Sequence, residues 1–497
     1  MGKYFLGLDQ GTTGSTAILF DEEWRLAARG YREIRQIYPQ TGWVEHDAMN
    51  IWEATCEAVQ AAMDKIGADP SDILGIGIDH EGESIMLWDK ETGLPIYNTI
   101  VWQDRRTARE ADALAEKYGP MVREHTGLML DSYFSALKLR WLLQNVPEAK
   151  ELLAQGRLLA GTMDVWLVWK MTRGQLHVTD VGTASRTMLM NLQSEDWDQD
   201  ILDLLEIDRS ILPKICDSAG FFGYTVPEDF CGIKAPIGGI VVDQHAALFG
   251  QACFEPGTVK TTYGTGCFML MNTGDKPVFS PNGLLTAVGW RLNGKTTYVL
   301  DGGIYISGAA TQWLRDGLKI IKSAPETEPI VQAMDSNNGL YFVPAFTGLA
   351  APYWDSYARG MIIGITGGTT REDLIRATLE SSCYQVCDLV DVMEKDSGVP
   401  IKIMRCDGGA SVSNFMMQFQ SDLLNIPLNV PEIIDTTALG AAYMAAIGIG
   451  AVSSTDELVN NWRLKRSFSP NMTEEKRTHL LGEWRRAVER CRNWVQD

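Results

Sequence analysis

Carboxylates set beside glycine- and threonine-rich turns are the residues of this chain best suited to chemistry. The first such stretch is Asp9-Gln10-Gly11-Thr12-Thr13-Gly14-Ser15-Thr16. Its backbone donors and hydroxyls can cradle phosphate oxygens, and its glycines let the main chain approach a ligand closely. Asp9 could hold Mg2+ directly or through water. Tyr263-Gly264-Thr265-Gly266-Cys267-Phe268 repeats that character. A third turn, Asp407-Gly408-Gly409-Ala410, sets a glycine pair ahead of a helical stretch, a setting that suits an anion or a nucleotide. Two polar clusters end apolar runs: Asp79-His80-Glu81-Gly82-Glu83-Ser84 after Ile73–Ile78, and Asp243-Gln244-His245 after Ile237–Val242. Strand ends are where α/β proteins commonly place ligand sites. Taken singly, each stretch reads equally well as an ordinary hairpin or strand end.

The elements that must position these residues follow from apolar spacing. Apolar run, Gly/Thr turn, apolar run over residues 4–20 and again over 259–271 predicts two hairpins. Residues 48–67, 108–118 and 133–143 have helical spacing, as does the stretch holding Phe415, Met416, Met417 and Phe419. Arg105 and Arg106 open a charged helical region and read equally as a solvated helix start. Thr437–Tyr443 is a small-residue helix suited to close packing, and 461–496 reads as a Trp- and Arg-rich helix that docks or faces a partner. The second half restarts the opening pattern. Two related domains facing one cleft are therefore expected, 1–250 and 251–497, with the boundary near 245–257.

The chain has 497 residues, 45% hydrophobic and 22% charged, enough for two large domains. Its net charge of −20 repels phosphate backbones, so nucleic acid is not an expected partner. No apolar run is long enough to span a bilayer, and no basic segment followed by a long apolar one suggests a signal peptide. Nine cysteines are spread singly without a CxxC pair; Cys383 and Cys387 share a helix face, but nothing nearby completes a zinc set. Reduced thiols in a cytoplasmic protein are the expectation.

The order of the Asp9–Thr13 loop, Asp243-Gln244, the Tyr263–Phe268 loop and Asp407–Ala410 resembles the FGGY carbohydrate kinases of the sugar kinase/Hsp70/actin superfamily. Within that family the resemblance is closest to the glycerol kinases. It extends through Tyr38–Asp47, Asn98–Arg106, Gly161–Met171, Ala184–Met188, Thr262–Thr273 and Val343–Arg359. It implies an α/β protein of two ribonuclease-H-like domains around a central cleft, closing over ATP and a polyol. The implied reaction is phosphoryl transfer from MgATP to a terminal hydroxyl of glycerol or a related polyol. The resemblance places Asp243 as catalytic base and Asp9, with Asp243, at the metal. It places Thr12, Thr13, Gly264, Thr265, Gly308, Gln312, Gly409 and Ser413 at the nucleotide. Glu83, Trp102, Tyr133, Asp243, Gln244 and Phe268 fall in the polyol set, with His80, Glu81 and Gly82 as further candidates. A homodimer or homotetramer is expected.

The chain departs from the family pattern at several positions. His80-Glu81-Gly82-Glu83 stands where the family carries Asn-Gln-Arg-Glu. Gly82 removes an arginine, so Glu83 is expected to lack its donor, with His80 or a substrate hydroxyl as a replacement, and the pocket is expected to be larger. Thr16 replaces a basic residue, Ser413 an asparagine, and Lys234 an arginine of a fructose-bisphosphate loop. A kinase for a larger polyol or ketose (erythritol, threitol, a pentitol or a pentulose) is the second reading. An actin- or Hsp70-like nucleotide-driven binding protein is the third.

Overall fold

Tyr4–Gln10 and Gly14–Asp21 pair antiparallel around the first Gly/Thr turn. Leu6, Leu8, Ala17, Ile18, Leu19 and Phe20 are all buried there, so the hairpin is covered on both faces rather than half solvated. The computed structural model describes residues 2–495. Leu26–Glu33 extends the hairpin antiparallel on one side. On the other side Ile73–His80 and then Pro236–Val242 add in parallel.

The second half repeats that plan. Thr258–Tyr263 and Cys267–Gly274 form the second hairpin, Lys295–Ile304 extends it antiparallel, and Ile403–Asp407 and Leu428–Pro431 add in parallel on the far side. Two copies of one five-strand arrangement, in which the second strand alone runs antiparallel to the other four, make the molecule a pair of ribonuclease-H-like halves. Ala219–Tyr224 joins them. It pairs with Pro236–Val242 and touches Leu285–Leu292 through the one bridge Ala219↔Leu292. Among the described residues, thirteen strands thereby form one sheet.

Each half ends its last parallel strand in a helix: Asp243–Gly250 after Pro236–Val242, and Thr436–Gly448 after Leu428–Pro431. The two helices cross at glycines. A Cβ on Gly440 would lie 1.9 Å from the Ala246 carbonyl oxygen, and one on Gly250 would lie 2.1 Å from that of Thr436. Thr436–Gly448 comes from the second half but lies on the sheet of the first. Cβ atoms on Gly7 and Gly77 would stand 2.3 and 1.8 Å from the carbonyl oxygens of Ala438 and Ala441. The small residues seen in sequence are thus matched by glycines on the strands beneath.

The C-terminal stretch differs from its sequence expectation. Leu464–Phe468 is a strand, antiparallel to Leu428–Pro431, and among the described residues of 461–496 only Glu474–Cys491 is helical, residue 496 lying outside them. That helix is docked: Trp484 is fully buried, stacks on Tyr384 at 5.2 Å and donates Nε1–H to Asp388 Oδ2 at 2.7 Å. No helix among the described residues is long and apolar enough to cross a membrane.

Candidate active site

Three adjacent parallel strands bring three carboxylates to one place. Asp9 and Asp79 are register partners on Tyr4–Gln10 and Ile73–His80. Val241 pairs with Asp79 on the other side, and Asp243 opens the helix that follows that strand. Asp9 and Asp243 are partly exposed, whereas Asp79 is fully buried. Asp9 accepts from the Thr437 hydroxyl at 2.9 Å, and burial still raises its carboxyl above the usual range. Burial, and then the negative charge of Glu83, push Asp243 up to about 7 against the pull of the Gln244 N–H, which donates to Oδ1 at 2.5 Å. Lys260 Nζ donates to Gln244 Oε1 at 2.6 Å, which fixes that amide beside Asp243.

The floor fits a magnesium ion. Its donors are all carboxylate oxygens, and both oxygens of Asp79 are buried without any hydrogen-bond donor. Cys383 and Cys387 are free thiols without a metal set around them. Among the described residues, the one group spaced for three direct ligands to a single ion is His125, Asp198 and Asp200, away from this floor. Asp198 there already caps a helix through Ile201 N–H and accepts from Asn191.

Next to Asp243 lies a second polar cluster, and it corrects the expectation for Glu83. Arg186 donates from Nε to Glu83 Oε1 at 2.8 Å and from Nη1 to Asp301 Oδ2 at 3.0 Å. Glu83 therefore has a guanidinium partner, supplied by the short helix Val181–Arg186 rather than by the neighbouring residue. His80 is not that partner. Its Nδ1 faces the Glu81 carbonyl at 2.9 Å, and its Nε2 meets the Thr183 hydroxyl at 2.9 Å. The carbonyl can only accept, so in the neutral ring Nδ1 carries the proton and Nε2 accepts from Thr183. His80 thus faces beneath the site. The space above Gly82 is also filled, since a Cβ there would lie 2.9 Å from Val242 Cγ2 and 3.5 Å from Arg186 Cβ.

Thr12 ties the first phosphate turn to this cluster. Trp102 Nε1–H donates to Thr12 Oγ1 at 2.9 Å, and the Thr12 hydroxyl donates to Glu81 Oε2 at 2.8 Å. Burial pushes the Glu81 carboxyl up to about 7. Trp102 and Tyr133 stand edge to face, 5.6 Å apart. Phe268, 41% exposed, pairs with Gly303 on Lys295–Ile304, two residues beyond Asp301 and so on the same face of that strand. Phe268 thus shares a strand face with Asp301, the second carboxylate partner of Arg186.

Gly264, Thr265, Gly308 and Gly409 meet around the second hairpin, whereas Thr12 and Thr13 lie on the turn of the first. Gly308 N–H donates to Gly264 O and Ala309 N–H to Thr265 O, both at 3.0 Å, which holds the helix Gly308–Asp316 against the exposed Gly264-Thr265 turn. A Cβ on Gly308 would lie 2.5 Å from Gly264 O, so the approach needs glycine. Gly408, at φ +86°, packs equally closely on Tyr263. Gly409 is open, and Gln312 and Thr13 are exposed. Ser413 is the exception. Its oxygen caps Asn414–Leu424 by accepting from Met416 N–H at 3.1 Å, while its hydroxyl donates to Glu328 Oε2 at 2.5 Å, so it is engaged within the chain.

Sequence reasoning missed Arg186, Asp301 and Thr437 as parts of this site. Arg186 lies in the Ala184–Met188 stretch already noted, and an arginine inside an otherwise small and apolar segment is the signal that could have found it. Asp301 and Thr437 carry no local signal, since only the fold brings them near Glu83 and Asp9.

Duplicated halves of this plan, with paired carboxylates at the strand ends between them, define a sugar kinase/Hsp70/actin-type phosphotransfer fold. Residues 4–250 match the N-terminal domain, and residues 259–449 the C-terminal domain, of the FGGY family of carbohydrate kinases. The chain belongs to that family and is an ATP-dependent kinase. It is 52% identical over 493 residues to glycerol kinase 2 of Thermotoga maritima, covering 99% of each chain. It is 51% identical over 498 residues to the glycerol kinase of Caldanaerobacter subterraneus, covering all of both. The crystal structure of Plasmodium falciparum glycerol kinase with ADP superposes with a TM-score of 0.95 at 34% identity, over 100% of this chain and 99% of that one.

Proposed function

We propose that this chain transfers the γ-phosphoryl group of ATP to a terminal hydroxyl of glycerol, with residues 1–250 holding the polyol and 251–497 the nucleotide. The observation that carries the reading is Asp243. It is a carboxylate at a strand end, pushed up to about 7 by burial, beside Glu83 and Gln244 and open to the cleft. A base near neutrality can take the proton from the attacking hydroxyl as that oxygen bonds to phosphorus. Glu83, held by Arg186, and Gln244, held by Lys260, accept from or donate to the polyol hydroxyls. Trp102, Tyr133 and Phe268 cover its carbons. Thr12, Thr13, Gly264 and Thr265 approach the phosphates, and Gly308, Gln312 and Gly409 the rest of the nucleotide. Asp9 and Asp243 would hold Mg2+, which when bound neutralises the phosphate charge.

Glycerol is favoured over a larger polyol because Glu83 has its guanidinium partner and the space at Gly82 is filled by Val242. The experiment is kcat/KM with glycerol, erythritol, threitol and pentitols, read through ADP release and through the phosphorylated product. Glycerol is expected to be preferred. Equal or better turnover of a four- or five-carbon polyol would move the assignment to the larger substrate. ADP release unaltered by any polyol would instead leave a nucleotide-driven binding protein.

A further inference from the structure

Asp79 has no part in the phosphotransfer described above, yet it lies at the centre of the site. Its strand runs between the strands that deliver Asp9 and Asp243. Its side chain is 0% exposed, and neither carboxylate oxygen meets a donor from the chain. Among the described residues, no other side chain leaves both carboxylate oxygens buried and without a partner. The groups that face it are the carboxylates of Asp9 and Asp243, and that of Asp9 is within hydrogen-bond reach should one of the two carry a proton. The nearby donors are committed elsewhere: the Thr437 hydroxyl to Asp9 and Lys260 to Gln244. A buried carboxylate with no donor, between two more carboxylates, is costly unless something positive joins it. Among the described residues, Lys260 and Arg29 act on Asp243 and Asp9, and no cation acts on Asp79. Asp9 and Asp243 are partly exposed to the cleft, so a cation arriving from solvent can reach the group.

We propose that Asp79 is the third carboxylate of a divalent-cation site shared with Asp9 and Asp243, and that this site takes the cation in the absence of nucleotide. The three carboxylates stand too far apart for all of them to ligate one ion directly. Magnesium keeps several of its waters, so at least one carboxylate reaches the ion through water. Two carboxylates facing solvent make a weak site for a hydrated ion that normally arrives with phosphate. A third, buried carboxylate gives the ion one more oxygen partner where solvent screens the attraction least. The free enzyme is then loaded with metal before ATP enters. The proposal shares its floor with the kinase reading above but requires only that the three carboxylates bind one ion.

The test titrates nucleotide-free, full-length protein with Mn2+, following the free-ion electron-paramagnetic signal, and repeats the titration with Mg2+ by calorimetry. The wild-type chain is expected to bind one Mn2+. D79N, nearly isosteric and uncharged, is expected to bind it at least tenfold more weakly, while D79E retains binding. Metal-free ATP binding in chelator is expected to be the same in D79N and wild type, which separates a cation defect from a damaged cleft. Circular dichroism and melting curves confirm folding, and D79S carries the comparison should D79N fail to fold. Absence of Mn2+ binding by the wild type overturns the proposal. So does equal binding by wild type and the uncharged variants, the result expected if Asp79 simply holds a proton against Asp9. No polyol or ATP enters the binding arm, so a failed kinase assignment and a failed cation site give different results.

Discussion

Asp243 carries opposite demands. It must be ionised to accept a proton, yet burial and Glu83 hold its carboxyl up at about 7. The sign follows directly: below that value the base is protonated and idle. kcat/KM is therefore expected to fall about tenfold per pH unit below roughly 7. A profile that stays flat down to pH 5 would contradict the assignment. D243N should fold normally and lose about 10²–10⁴ of turnover. Arg186 makes the second residue-scale prediction. It bridges buried Glu83 and Asp301. R186M should cost about 3–5 kcal/mol in a denaturant titration, because two carboxylates are left in the interior without a partner. The sequence singled out Asp9, Asp243 and Glu83 because their motifs are local. It erred on the partner of Glu83, which is about a hundred residues away and visible only once the first half has folded.

At the scale of elements, the crossing helices hold the site. G440A would gain about 1 kcal/mol of helix propensity. The added methyl would, however, meet the Ala246 carbonyl at 1.9 Å, and neither backbone can yield without moving a helix. Overpacking of about 1–3 kcal/mol or more wins, so the variant should melt earlier. The docked C-terminal helix gives a pH prediction. Asp388 accepts from Trp484 Nε1–H and from the Tyr353 hydroxyl, and burial pushes its carboxyl up to about 6. Between pH about 4 and 6 the folded chain holds this proton more tightly than the unfolded one. The contribution is complete below about 4 and fades as pH rises through 6, amounting to roughly 3 kcal/mol. D388N keeps the acceptor and removes the titration, so its stability should vary less across that window in melts at stepped pH. Hairpins and buried strands were legible from apolar runs and Gly/Thr turns. Leu464–Phe468 was not, because an edge strand rich in charge resembles a solvated helix until its partner Leu428–Pro431 is in place.

The duplication that organises the whole molecule was legible in outline, because the second hairpin restates the first. The interleaving of its halves was not, since it rests on glycines spread along distant strands. Gly7 and Gly77 give a helix from residues 436–448 a seat on the first sheet, and Asp9 receives its hydroxyl donor from Thr437.

This interleaving sets a timetable during synthesis. The ribosome completes the opening sheet early, but the helix that roofs it emerges after more than four hundred residues. Until then the grooved face made by Gly7 and Gly77 is uncovered, and the nascent chain must wait with apolar surface showing. A fragment of residues 1–250 made alone is thus expected to aggregate or to engage chaperones. Supplying residues 430–452 as a separate peptide should raise its soluble fraction, measured by sedimentation. A fragment that is monomeric and cooperatively folded without the peptide would show that the early sheet closes by itself.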